Sequence, residues 1–194
     1  MRRTSLALFA ASLLIPHNRP HDLAAGEAIT MPRREYQGRI SFPRGYTSAT
    51  LPRDLYIRSL LAIDKRMRFG DYRWDDRVAT TGPTRILVNL KLQTISVFRD
   101  GHELGTAVIL YGSDGTPTPT GTFRILERAR HHRSNLYDAE MPYMLRLTMG
   151  GVAIHASSVR EGFATHGCIG IPAAFAARLF ALARKGDIVT ILPA

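Results

Sequence analysis

The sequence predicts a mainly β domain over roughly residues 83–194 with one late helix, preceded by an irregular, partly helical N-terminal extension. Three observations predict it. Short β-branched runs recur from Arg85 onward, turn dipeptides separate them, and one stretch near the C-terminus repeats apolar residues at helical spacing.

Ile86-Leu87-Val88 opens the strand text, and Ile95-Ser96-Val97-Phe98 follows after Lys91 and Gln93. Asp100-Gly101 is a hairpin turn signal, so Thr106 to Tyr111 reads as the return strand. Gly112 to Gly121 reads as a loop, because its prolines donate nothing to a ladder. Thr122 to Leu126, Met144 to Thr148 and Val152 to Ile154 are further strands, the last two separated by Gly150-Gly151. Pro172 to Lys185 reads as the helix: Pro172 suits its first turn, and Phe175, Leu179 and Leu182 recur at i, i+4, i+7. Arg184 and Lys185 complement the dipole there, and Gly186 suits the C′ position. Ile188 to Leu192 closes the chain as a strand.

Upstream, Met1-Arg2-Arg3, the apolar run Leu6 to Ile15 and the small residues Leu23-Ala24-Ala25 have the layout of a secretory signal over 1–25. An apolar first helix of the fold is the plainer alternative. Residues 26–82 read as extension and linker: irregular over 26–53, an amphipathic helix over Asp54 to Phe69, and a linker from Trp74 to Pro83.

Composition narrows the function classes. Of 194 residues 45% are hydrophobic and 22% charged, which excludes wholesale disorder. No stretch approaches the roughly 20 apolar residues of a membrane helix. The formal charge of +10 admits an anionic partner, but the excess is spread out: 14 basic and 8 acidic side chains over 1–80, 12 and 8 over 81–194. With no run of five like charges and no aromatic–basic interleaving, specific nucleic-acid binding is not expected, whereas an anionic matrix is. One cysteine excludes an internal disulfide and any zinc site built from cysteines alone.

That cysteine sits in Thr165-His166-Gly167-Cys168-Ile169-Gly170, thirteen positions after His155, which ends the strand Val152-Ala153-Ile154. A thiol becomes a strong nucleophile when an imidazole takes its proton, and an imidazolium beside it lowers its pKa below about 8.5. A base at a strand end is rigidly placed. Gly167 permits close backbone approach, and the N–H groups around Gly167 and Cys168 suit an oxyanion. Two other readings stand beside this one. Cys168 can be a small buried hydrophobe among ordinary histidines. Alternatively His155, His166 and Cys168, with His131-His132, can ligate a metal, although the spacing is unusual for zinc.

The ordered motifs resemble a known family. His155-Ala156, eight residues, then THGCIG, a Pro-started helix and a Gly-Asp-x-Val strand are similar to the L,D-transpeptidase (YkuD-type) catalytic domain. Thr118 to Phe123 (TPTGTF), Met141-Pro142-Tyr143-Met144 and the opening strands with Gln93 and Asp100-Gly101 match it as well, over about 85–193. The resemblance implies that Cys168 is the acylated nucleophile and His155 its base, with the Ala156 carbonyl as third member. Thr165, His166 and Gly167 then line the oxyanion side, and Tyr143 is a candidate wall of the acyl pocket. Most members carry Arg where this chain has Gly170, a substrate-binding position. The implied activity is transfer of peptidoglycan stem peptides through a thioester on Cys168, with release of a terminal D-amino acid, no metal or organic cofactor, and export to the periplasm or cell wall. A hydrolase on the same substrate, an L,D-carboxypeptidase, and a non-catalytic wall-binding module are the alternatives.

Overall fold

The computed structural model describes residues 34–36, 38–46, 51–52, 55–78, 81–134 and 137–194; the signal read over 1–25 lies outside them. In chain order the strands are β1 (Arg34–Tyr36), β2 (Arg39–Tyr46), β3 (Ile57–Leu61), β4 (Tyr72–Trp74), β5 (Thr84–Asn89), β6 (Thr94–Arg99) and β7 (His102–Val108). They continue with β8 (Gly121–Arg124), β9 (Glu127–Ala129), β10 (Met144–Arg146), β11 (Ala153–Ala156) and β12 (Ile169–Ile171). Helix α1 (Ala173–Leu182) and β13 (Ile188–Leu192) complete the described chain.

Two sheets form among the described residues. The larger runs β1-β2-β3-β7-β6-β5-β13-β8, with β4 paired to β7; the smaller runs β12-β11-β10-β9. The β5–β6–β7 meander is antiparallel and turns at Asp100-Gly101, where both residues take the positive φ a tight hairpin needs. The last strand inserts parallel to β5, in register Val189↔Ile86 and Ile191↔Val88.

Side-chain alternation sorts the large sheet into two apolar faces. Ile86, Val88, Ile95, Val97 and Val189 pack toward α1 and the small sheet, with Phe175 and Leu179 of the helix at the centre. Leu87 and Phe98 point the opposite way, onto Leu51, Leu55, Ile57 and Leu60. Leu51, Leu55, Ile57 and Leu60 therefore cover part of the sheet's second face.

This corrects the reading of the extension. Residues 57–61 form β3, paired to β2 and β7, and no helix lies within the described residues 55–69. The leucines that mimic a helical stripe contribute to a β face instead. Trp74, read as the start of a linker, ends β4 opposite Gly105. A Cβ at Gly105 would lie 2.2 Å from the indole, so glycine there makes the seat on which Trp74 rests. The indole meets Phe175 edge-on at 5.3 Å, while Arg178 covers it and pairs with Asp76. The helix is also shorter than expected: it ends at Leu182, so Arg184, Lys185 and Gly186 form the turn into β13 rather than its last turn and cap. No helix among the described residues is long and apolar enough to cross a membrane.

Candidate active site

The small sheet delivers the site by the same alternation that builds the core. Leu145, Ile154 and Ile169 lie in register across β10, β11 and β12, and with Ala156 and Ile171 they enter the main core. Their neighbours Met144, Arg146, Ala153 and His155 necessarily face the other side. Cys168, one residue before β12, comes opposite Ala153 on that side. Met144, Arg146, Ala153, His155 and Cys168 line one cavity of about 430 Å³, together with His132, Tyr137, Thr165 and His166.

His155 is oriented by its own strand. Its Nδ1 lies 2.8 Å from the carbonyl oxygen of Ala156. A carbonyl only accepts, so in the neutral ring Nδ1 carries the hydrogen and Nε2 is the basic atom. Burial pulls the imidazole below its ordinary range, the Ala156 bond opposes this, and nearby His132 adds to the lowering.

The Cys168 thiol is half-buried, accepts the Ala153 N–H and reaches the Gly151 carbonyl at 3.8 Å. Burial pushes it up, with only the Ala153 N–H opposing. Both shifts favour the uncharged forms, in contrast to the thiolate held low by an imidazolium that the sequence predicts.

The turn carrying the cysteine is fixed from below. Gly167 has φ +104°, a conformation L side chains rarely adopt. Its carbonyl accepts from the Thr118 hydroxyl at 3.0 Å, and that hydroxyl accepts the Gly112 N–H at 2.8 Å. Thr165 lines the cavity while its hydroxyl donates to the Cys168 carbonyl. His166 stacks on Tyr137 with ring centroids 4.3 Å apart.

Two expected site residues lie elsewhere. Tyr143 precedes Met144, which faces the cavity, and its backbone is left-handed (φ 57°); its ring packs against Phe180 of α1 beneath Arg130. Gly170 is buried in the sheet seam, exchanging two hydrogen bonds with Leu110 at 2.8 and 2.9 Å. A Cβ there would sit 2.9 Å from the Ser157 Cβ, which is why no side chain projects from this position. Arg146 and the role of Thr118 are the site features the sequence reading missed. Among the described residues no group of three or more His, Cys, Asp or Glu has a metal-binding arrangement.

Fold and site together define a two-sheet β protein that brings a cysteine and a histidine into one cavity. Residues 83–191, over half of the chain, match the model of the YkuD family, the L,D-transpeptidase catalytic domain. The chain belongs to that family.

Solved structures share the fold. An L,D-transpeptidase from Stackebrandtia nassauensis superposes with a TM-score of 0.54 at 24% identity, over 61% of this chain and 60% of that one. One from Mycobacterium smegmatis gives 0.53 at 23%, over 57% and 59%. An Enterococcus faecium L,D-transpeptidase gives 0.50 at 25%, over 57% and 50%. The match thus spans about half to three-fifths of those chains. No curated protein gives a significant match.

Proposed function

We propose that the protein is a cysteine-dependent L,D-transpeptidase acting on peptidoglycan stem peptides outside the cytoplasm. The observation that carries this is the delivery of Cys168 and His155 to one cavity from adjacent strands, with Nε2 of His155 as the basic atom. The family, and the anionic wall that suits a charge of +10, support the substrate class.

Because both partners rest neutral, proton transfer belongs to the attack itself. Nε2 takes the thiol proton as the sulfur–carbon bond forms at the carbonyl before the terminal D-residue. Peptide planarity sets the Cys168 N–H opposite the Gly167 carbonyl, which Thr118 holds, so that N–H points away from Thr118 and suits the developing oxyanion. The C–N bond then breaks, the leaving amine takes the proton from His155, and a thioester remains on Cys168. An acceptor amine attacks the thioester, giving up a proton to His155, and restores the thiol. With water as acceptor the same thioester is hydrolysed.

The test is mass spectrometry after exposure to a carbapenem, and after exposure to a stem tetrapeptide with and without an amine acceptor. A covalent adduct on Cys168, absent in Cys168→Ala, is expected, with the cross-linked peptide exceeding the hydrolysed one. Turnover by Cys168→Ala would sink the mechanism; an unmodified wild type would leave a wall-binding module; and hydrolysis alone would make the protein a carboxypeptidase.

A further inference from the structure

The geometry points to Arg146 as the residue that holds the terminal carboxylate of the acyl-donor peptide. This rests on the acyl-transfer reading above and names the group that selects its donor. Arg146 ends β10 and lies in register with Ala153 on β11 and Glu127 on β9. Cys168 follows on the far side of Ala153, so Glu127, Arg146, Ala153 and Cys168 form one row across the cavity face. Two strand spacings, about 10 Å, separate the arginine backbone from the cysteine backbone. Only the methyl group of Ala153 stands between their side chains on that row.

The electrostatics of the cavity single out this side chain. Among the described residues that line it, none is acidic and Arg146 is the one permanent cation. Its side chain is 29% exposed, partly desolvated but reachable from solvent. It meets Glu127 through Nε at 3.1 Å, on the edge strand and outside the cavity lining. A guanidinium paired with one carboxylate at the rim, in a lining that holds no other, suits planar recognition of an incoming one.

Peptide dimensions place that carboxylate. One residue spans at most about 3.3–3.6 Å. With the scissile carbonyl over the sulfur and the donor running along this row, the carboxylate of the leaving residue lies about one strand spacing away, on the Arg146 side. Such a contact makes the enzyme read a free chain end, so a donor whose terminus is blocked or extended is a poor one.

The experiment compares acylation of Cys168 by a stem tetrapeptide ending in a free carboxylate and by its C-terminal amide. In the wild type the acid is expected to be favoured at least tenfold in kcat/KM, since a charged hydrogen-bonded contact is lost in the amide. In Arg146→Ala the ratio should fall toward one through loss on the acid, with iodoacetamide alkylation of Cys168 unchanged. Arg146→Lys should be intermediate, keeping the charge and losing the fork. Glu127→Gln, on the exposed edge strand, removes a competing carboxylate and should raise the ratio; it keeps the question answerable if Arg146→Ala fails to fold. A wild-type ratio retained in Arg146→Ala, or unmoved in Glu127→Gln, overturns the inference. Equal use of acid and amide by the wild type overturns it while the acyl-transfer reading survives. Acylation by neither peptide brings down that reading and the inference with it.

Discussion

Two polar clusters among the described residues treat charge in opposite ways. Near β4, Arg39 donates to Asp75 at 3.0 Å, to the Ser59 hydroxyl and to the Glu103 carbonyl, while Arg77 also binds Asp75. The Asp75 carboxyl is held well below its ordinary range, chiefly by Arg77. Beside it Glu103 is fully buried and pushed up to about 7 by that burial, with bonds from Ser96 and the Leu61 N–H opposing. In the cavity, by contrast, His155 and Cys168 are bound to backbone groups and rest neutral. Bonds from Arg39 tie β2 to β3 and β7; on the proposed mechanism, the groups held by backbone partners in the cavity keep a proton ready to move. The first arrangement commits its charge to structure; on the proposed mechanism, the second withholds charge until a substrate arrives.

The largest effect should come from breaking the neutral pair. His155→Ala is expected to lower acyl transfer by about 10²–10⁴-fold, the usual worth of a placed general base. The same change should scarcely move iodoacetamide alkylation. Because burial, not the imidazole, sets the thiol's affinity for its proton, alkylation should accelerate only above about pH 8.5 in both proteins. Fast wild-type alkylation at pH 6–7 that disappears in His155→Ala would show a charged resting pair. Activity should persist below pH 6.5, since a lowered imidazole pKa keeps Nε2 unprotonated there.

Breaking the charged cluster should cost the fold and spare the chemistry. Asp75→Ala leaves the guanidinium of Arg39, 11% exposed, without its carboxylate. A loss of about 3 kcal/mol or more is expected in denaturant unfolding, with Cys168 alkylation of the folded protein unchanged. The acid limb sharpens this. A depressed carboxyl pKa gives stability that is present above the ordinary value of 3.8 and lost as pH falls below it. Asp75→Ala should flatten that limb; an unaltered acid unfolding profile would show that the pair contributes nothing.

The smallest effect concerns the seam between the clusters' sheets. Gly170→Ala should destabilise by about 1–3 kcal/mol through overpacking on Ser157. Ser157→Gly in the same chain should restore most of the loss, and additive costs in the double variant would refute the contact. Gly170→Arg, by the same reasoning, disturbs the strand before it can reach a substrate.

Much of this was legible in the sequence because periodicity is local. The alternation of Thr84–Asn89 and Thr94–Arg99 and the stripe at Phe175 and Leu179 each declare their element within a few residues. Ile169–Ile171 did not, because a three-residue strand interrupted by glycine has too little alternation to detect. Ile57–Leu61 misled because adjacent leucines fit a helix as well as a strand covered on both faces. Cys168 and His155 stand out by chemistry. Arg146 and the Thr118 hydroxyl do not: one acquires meaning from strand register, the other from a carbonyl 49 positions away. Tyr143 lies inside a matching motif, yet its left-handed backbone, next to a cavity-facing methionine, turns its ring toward the helix.

The segment between the histidine and the cysteine turn hangs from hooks at both ends. The Ser157 N–H binds the Ile171 carbonyl at 2.8 Å, and the Thr165 N–H binds the Tyr111 carbonyl at 2.9 Å. Neither anchor lies within residues 158–164, so the distance between base and nucleophile is set by β11, β12 and the large sheet rather than by the span joining them in sequence. Each doubling of such a span costs only about 0.6 kcal/mol in closure entropy. Val159 anchors the stretch in the interior, but the exposed residues 160–164 can be lengthened or exchanged at little cost while the cavity's residues keep their places.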